Sequence, residues 1–251
     1  MKLSLPHYLF PVICVLAGIA SQYSGLDIRL EQFFYDYQHQ LWPYKETWLT
    51  QDLLHRGGRD VVALVIIGMF LFLLATLFND RLAPYRRNAI FLLLSSLTGI
   101  GLVAVLKAST HIYTPWDLQI FGGLYPNIRL FDSVPNNLPV GHAFPSGHAS
   151  GGFALLSFYF MARSHQYRHS SLFLYTALGL GLTFGLDQQI RGAHMLSHDL
   201  FSPAICWSSC LIWSALLLPA TKSEEIIISE KGPDQREITG SDPMISNKTS
   251  C

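Results

Sequence analysis

Six stretches of this chain carry no Asp, Glu, Lys or Arg over lengths close to a bilayer's thickness. They run Pro6–Ser24, Val61–Phe78, Asn88–Leu106, Gly147–Ala162, Ser170–Leu186 and Leu200–Thr221. A hydrocarbon core about 30 Å thick takes about 20 apolar residues in helical form. The pattern therefore predicts an all-α, six-span transmembrane bundle over residues 1–221, followed by a polar, mobile tail over 222–251. The fourth and fifth windows are short, but each extends through uncharged neighbours. The first window also fits a cleaved signal peptide, with Lys2, an apolar stretch and Gly18-Ile19-Ala20. Either reading leaves the remaining topology unchanged.

Composition agrees with this pattern. Hydrophobic residues make up 50% of the 251 and charged residues only 14%, against roughly 25% charged in soluble domains. Lys plus Arg equals Asp plus Glu at 17 each, so no bulk charge draws the chain to nucleic acid. Cys14, Cys206, Cys210 and Cys251 show no CxxC or zinc-ribbon spacing.

Short-loop charges set the orientation. Asn79–Arg87 holds Arg81, Arg86 and Arg87, and Arg163–His169 holds Arg163 and Arg168. The positive-inside rule places these loops, both termini and the tail in the cytoplasm. Residues 25–60, 107–146 and the turn near Gln188–Asp199 then face outward. Within the first of these, 26–58 mixes aromatics with charges (Phe33, Phe34, Tyr35, Tyr37, Trp42, Tyr44, Trp48). It reads as an interfacial segment or an amphipathic cap. On the cytoplasmic side the sequon Asn247-Lys248-Thr249 has no meaning. Gly147-xxx-Gly151 and Gly181-xxx-Gly185 have the form that lets helices approach closely.

The chemistry-bearing residues gather at the outer ends of spans three to six. Lys107 closes the third span, Thr114-Pro115-Trp116-Asp117 follows, and Pro145-Ser146-Gly147-His148 opens the fourth. Arg191, His194, His198 and Asp199 lie between the fifth and sixth. Ionisable groups at a membrane bundle are functional candidates because burying them is costly. Pro-Ser-Gly-His suits a helix start whose free amides favour a phosphate, although a plain helix start has the same form. If Arg191–Asp199 is helical, His194 and His198 share a face. One could be a nucleophile and the other its orienting partner, with Arg191 neutralising phosphate charge. Interfacial His and Arg reaching toward headgroups is the simpler alternative. His142 and Asp117 are lesser candidates. His7, His39, His55, His165 and His169 read as surface residues, and Asp117 and Asp187 as ion-pair partners of Lys107 or Arg191.

Taken together, Lys107 with Pro115 eight residues later, Pro145-Ser146-Gly147-His148, and an Arg-containing stretch ending in His194 resemble the type 2 phosphatidic acid phosphatase superfamily. Gly147-His148-Ala149-Ser150-Gly151-Gly152-Phe153 and Arg191-Gly192-Ala193-His194 are similar to a bacterial, lipid A phosphatase-like branch. The resemblance implies that His194 attacks phosphorus and carries a phosphohistidine while His148 protonates the leaving group. It also implies that Lys107, Ser146, Gly147 and Arg191 hold the phosphate oxygens, with no metal or cofactor. Three departures stand out. Thr114 occupies the position of a family arginine, Gln188 that of another, and His198 that of the aspartate four residues after the nucleophile. His198 is therefore expected to orient His194, with Asp199 as the fallback.

The resemblance implies a membrane lipid as substrate, lipid A being favoured over undecaprenyl pyrophosphate or phosphatidylglycerophosphate. It also implies a bacterial inner membrane with the site facing the periplasm. Two other readings compete. One is a metal-dependent hydrolase drawing ligands from His142, His148, His194, His198, Asp117 and Asp199, although HExxH is absent. The other is a catalytically weak binder of lipid phosphates, while a lipid phosphotransferase of the same fold, with another lipid replacing water as acceptor, is a variant of the phosphatase reading. Oligomeric state has no signature in the sequence.

Overall fold

A computed structural model describes residues 4–218, so the tail at 222–251, Lys2, the sequon and Cys251 lie outside the described residues. Among the described residues the chain is all-helical. The helices are α1 (Leu5–Ser24), α2 (Leu26–Glu31), a π-helix (Trp48–Gly57) running into α3 (Gly58–Phe78), and α4 (Arg86–Ser109). They continue with α5 (Gly147–Phe153), α6 (Leu156–Ser164), α7 (Ser170–Ile190) and α8 (Leu196–Leu217). Two isolated bridges, Asp36 with Leu41 and Leu118 with Tyr125, are the extent of β pairing among these residues.

Four helical stretches are long and apolar enough to cross a membrane: Leu5–Ser24, Trp48–Phe78, Ala83–Ser109 and Leu196–Leu217. The fourth and fifth expected windows differ from these. The fourth breaks at Ala154–Leu155 into helices of seven and nine residues. The fifth, α7, has the length, but Ser170 and Ser171 at one end and Asp187, Gln188 and Gln189 at the other dilute its apolar character.

The bundle is apolar outside and partly polar inside, as a lipid-facing protein is. Leu64 (67% exposed), Leu172 (63%) and Leu182 (63%) point outward. Hydroxyls between helices instead find partners across them. Ser96 Oγ donates to Ser157 Oγ at 3.0 Å and Ser209 Oγ to the Ser95 carbonyl at 2.8 Å. His7, read from the sequence as a surface residue, is buried against Tyr159, with Nε2 2.9 Å from the phenol oxygen. Such bonds hold helices together where lipid removes the hydrophobic drive.

Helix α8 occupies the centre, packing on α1, α4, α5 and α6, while α7 covers α5 and α6. Phe91, Phe153, Leu156, Phe160, Cys206 and Trp207 form the core between them. The closest approach is between α5 and α7, where a β-carbon on Gly152 would stand 2.5 Å from the Gly181 nitrogen. The small-residue crossing therefore uses Gly152 with Gly181. Gly151, which the spacing pattern favoured, has only ordinary contact with Val62.

One end of the bundle is covered by a second cluster containing Tyr35, Trp42, Tyr113, Leu118, Phe121 and Met195. Gly192 has φ +73°, and a β-carbon there would fall 2.3 Å from the Trp42 ring. Only glycine fits both demands. This contact fixes the turn that carries His194.

Candidate active site

The turn between α7 and α8 departs from the helical reading of Arg191–Asp199. Helix α7 stops at Ile190, and Arg191–Met195 forms a turn before α8 begins at Leu196. The amides of Ala193 and His194 both reach back to the Gln188 carbonyl, at 2.8 and 3.3 Å. His194 therefore stands just ahead of a helix whose first turn holds His198. The two imidazoles meet across that junction, Nδ1 to Nδ1 at 3.3 Å, with their rings nearly perpendicular at 76°.

Both histidines are buried, at 4% and 0% exposure. Burial pushes the His194 pKa well below its usual value, and the charges of Lys107 and His198 add to the shift. At neutral pH His194 is thus an uncharged imidazole, the form a nucleophile needs.

Ser146 is tied to the same region by its backbone. Its amide donates to the His198 carbonyl at 3.1 Å, and its own carbonyl accepts from Ser202 Oγ at 2.7 Å. The Ser146 hydroxyl is fully buried, has no hydrogen bond of good geometry and lies toward the Asp199 carboxyl. Gly147 begins α5, and a β-carbon there would stand 3.8 Å from Lys107 Nζ. The end of α4 and the start of α5 therefore meet at a bare backbone. His148, one residue on, donates from Nε2 to the Leu54 carbonyl at 3.2 Å. Its ring lies between His55 and Phe184, 4.7 Å from each.

Arg191 is 6% exposed and reaches the segment between α2 and α3. Its Nε donates to the Lys45 carbonyl at 3.0 Å, Nη1 to Gln188 Oε1 at 3.3 Å, and Nη2 to Gln51 Oε1. Two of its five N–H groups remain for an anion. Asp199 is held by another partner, its Oδ2 accepting from Gln189 Nε2 at 2.7 Å. Thr114 and Asp117 bond to each other, Thr114 Oγ1 donating to Asp117 Oδ2. Asp117 is thus no ion-pair partner of Lys107 or Arg191 in this structure. His142 is exposed, with φ +53°.

One residue at this site lies beyond the sequence reading. His55 is stacked on His148, and its Nδ1 lies 3.2 Å from Gln188 Nε2. Gln188 also donates to Asp187 Oδ2 at 2.6 Å, and Asp187 is 1% exposed. The sequence alone makes His55 a surface residue. Its partner lies 93 positions along the chain, where no local pattern can point to it.

Among the described residues, His55, His148 and Asp187 could hold a metal ion, each offering one ligand atom within 4.8 Å of the others. Of the ligands considered from the sequence, only His148 belongs to this group. The charges of Arg191, Arg59, Arg56 and Lys107 all reach His55, so a cation would bind there against like charge. A cavity of about 430 Å³ lined by Pro11, Leu16, Leu102 and Ile212 among others, and one of about 560 Å³ lined by Trp42, Lys45, Thr47 and Trp116 among others, include none of these residues.

The model of one family, the PAP2 superfamily, matches residues 88–222, just over half of the chain. No curated protein and no solved structure matches it.

Proposed function

Because the chain belongs to the PAP2 superfamily, we propose that it is an integral-membrane phosphatase that hydrolyses a lipid phosphate through a phosphohistidine. The observation that carries the reading is the convergence of residues distant in sequence. Lys107 Nζ sits at the bare backbone of Gly147, and the charges of Lys107, His198 and His148 all act on the buried His194.

In this mechanism His194 uses Nε2, since Nδ1 is turned to His198. A bond forms from that nitrogen to phosphorus as the phosphorus–oxygen bond to the lipid breaks. His148 donates its proton to the leaving oxygen. With Nε2–H held by the Leu54 carbonyl, the proton that moves is on Nδ1 of the imidazolium, a form that a bound phosphate dianion favours. Water then attacks phosphorus, His148 takes its proton, and His194 is released. Lys107, Arg191, Ser146 and the open backbone at Gly147 hold the oxygens, the stabilisation phosphoryl transfer chiefly needs.

We place the site at the outer face of a six-span bundle, with both termini cytoplasmic, on the charges of the short loops. Helices α5 and α6 together would form the fourth span and α7 the fifth. A bacterial inner membrane with a periplasmic site, and lipid A as the favoured substrate, follow from the motif resemblance. The test is phosphate release by the purified protein from lipid A, undecaprenyl pyrophosphate, phosphatidic acid and phosphatidylglycerophosphate, each with EDTA present. Release from at least one lipid, lost in His194→Ala and His148→Ala, supports the reading. Turnover that EDTA abolishes would move it to the His55, His148 and Asp187 group. Binding without release would make the chain a lipid-phosphate binder.

A further inference from the structure

The contact between His194 and His198 leaves a proton to be accounted for. When His194 attacks through Nε2, its Nδ1 carries hydrogen and His198 Nδ1 accepts it. A neutral imidazole has a single N–H, so the proton of His198 is then on its Nε2. That atom is buried and has no protein partner.

Across from it lies Asp27, brought by α2 to the start of α8. Asp27 is 3% exposed. Its Oδ1 accepts from Ser21 Oγ at 2.6 Å and from the Ser197 amide at 3.0 Å, which anchors the carboxylate on the helix that carries His198. Its Oδ2 has no protein partner. Asp27 and His198 line the same small cavity, together with Gln22, Asn127, Ile112 and Met195. Its volume is about 10 Å³, at the lower limit for one water molecule. An unpaired donor and an unpaired acceptor thus share a hollow about one water in size, with Gln22 and Asn127 offering further polar atoms.

We propose that one buried water links His198 Nε2–H to Asp27 Oδ2, making Asp27 a positioning residue that acts on His194 through that water and His198. The inference rests on the assignment of His194 as nucleophile. The chain of bonds fixes the tautomer of both histidines and brings a carboxylate to bear where His198 replaces the expected one. No proton is transferred in the forward step. His194 keeps its Nδ1–H, becomes positively charged on phosphorylation, and is stabilised by the acceptor chain ending at Asp27. Burial pushes the Asp27 pKa up, while hydrogen bonds from Ser197 and Ser21 pull it back.

Two measurements test this. Asp27→Asn keeps the shape of the side chain and should lower kcat by about tenfold to a hundredfold with KM changed less than about twofold. This is a smaller loss than the ~10⁴ seen when a triad aspartate touches its histidine directly. In a His198→Ala background the same substitution should cost nothing further, because the path through His198 is already cut. A density map that resolves buried waters should show a peak within about 3.2 Å of both His198 Nε2 and Asp27 Oδ2. An unchanged kcat in Asp27→Asn, additive losses, or a map that resolves other buried waters but not this one would overturn the relay. If Asp27→Asn fails to fold, the wild-type map decides. A His194→Ala protein that still turns over would instead refute the assignment of His194, whatever Asp27 does.

Discussion

Gly152→Ala tests whether the crossing of α5 and α7 sets the position of His148. The added β-carbon would lie 2.5 Å from the Gly181 nitrogen, 2.6 Å from its Cα and 2.8 Å from the Leu180 carbonyl carbon. All three are backbone atoms, so no side chain can rotate away. Restoring ordinary contact requires the two helices to part by roughly 1 Å, and overpacking of this kind costs about 1–3 kcal/mol. His148 is on α5, while Asp187 and Gln188 are on α7, so the parting passes directly into the site. A displacement of about 1 Å at a reacting group can cost about a hundredfold in rate. Phosphate release and thermal unfolding should be measured in detergent beside Gly151→Ala, whose β-carbon would meet Val62 at an ordinary 3.5 Å. The expected outcome is a loss of about a hundredfold in kcat for Gly152→Ala and less than about threefold for Gly151→Ala. Equal effects from the two neighbours would refute the argument that the crossing sets the geometry.

Three further outcomes follow from the site. His198→Ala should lower kcat more than Asp199→Asn, because His198 meets His194 while Asp199 is held by Gln189; the reverse order would move the positioning role to Asp199. The lowered His194 pKa means that below about pH 6.5 the unfolded chain takes up a proton that the folded one refuses. This contribution to stability is full above that pH and lost as pH falls through it. The fall in melting temperature between pH 7 and pH 5 should therefore be shallower in His194→Gln, and an identical slope would show that folding leaves the His194 pKa unshifted. Gly192→Ala places a β-carbon at φ +73° and 2.3 Å from Trp42. It should cost at least about 1–3 kcal/mol of stability, read by denaturation in detergent, with a parallel loss of phosphate release.

The four helices apolar enough to cross a membrane were legible because exclusion of charge is a long-range, one-dimensional signal. Helices α1, α3 and α4 begin within three residues of the windows read from the sequence. The break at Ala154–Leu155 was not legible, since the stretch is uncharged throughout. Nor was the choice of Gly152 over Gly151, because spacing alone does not give the rotation of a helix about its axis. At the site, the motif residues could be read because each sits in a short local pattern. His55, Gln51 and Asp27 could not, because the residues they contact lie about 90 to 170 positions away. The helical reading of Arg191–Asp199 did pair His194 with His198, but the pairing arises from a turn held by Gly192 and Trp42.

If His194 carries the phosphoryl group during turnover, that group can be trapped on it. Purified protein should be mixed with a lipid substrate labelled in its phosphate, quenched within the first turnover, digested and mapped by mass spectrometry under alkaline conditions. Label is expected on the peptide containing His194 in the wild type, to accumulate when His148 is replaced if a reactive lipid phosphate bypasses the need for an acid, and to vanish in His194→Ala. Label on another residue, or persisting in His194→Ala, would show that His194 is not the nucleophile.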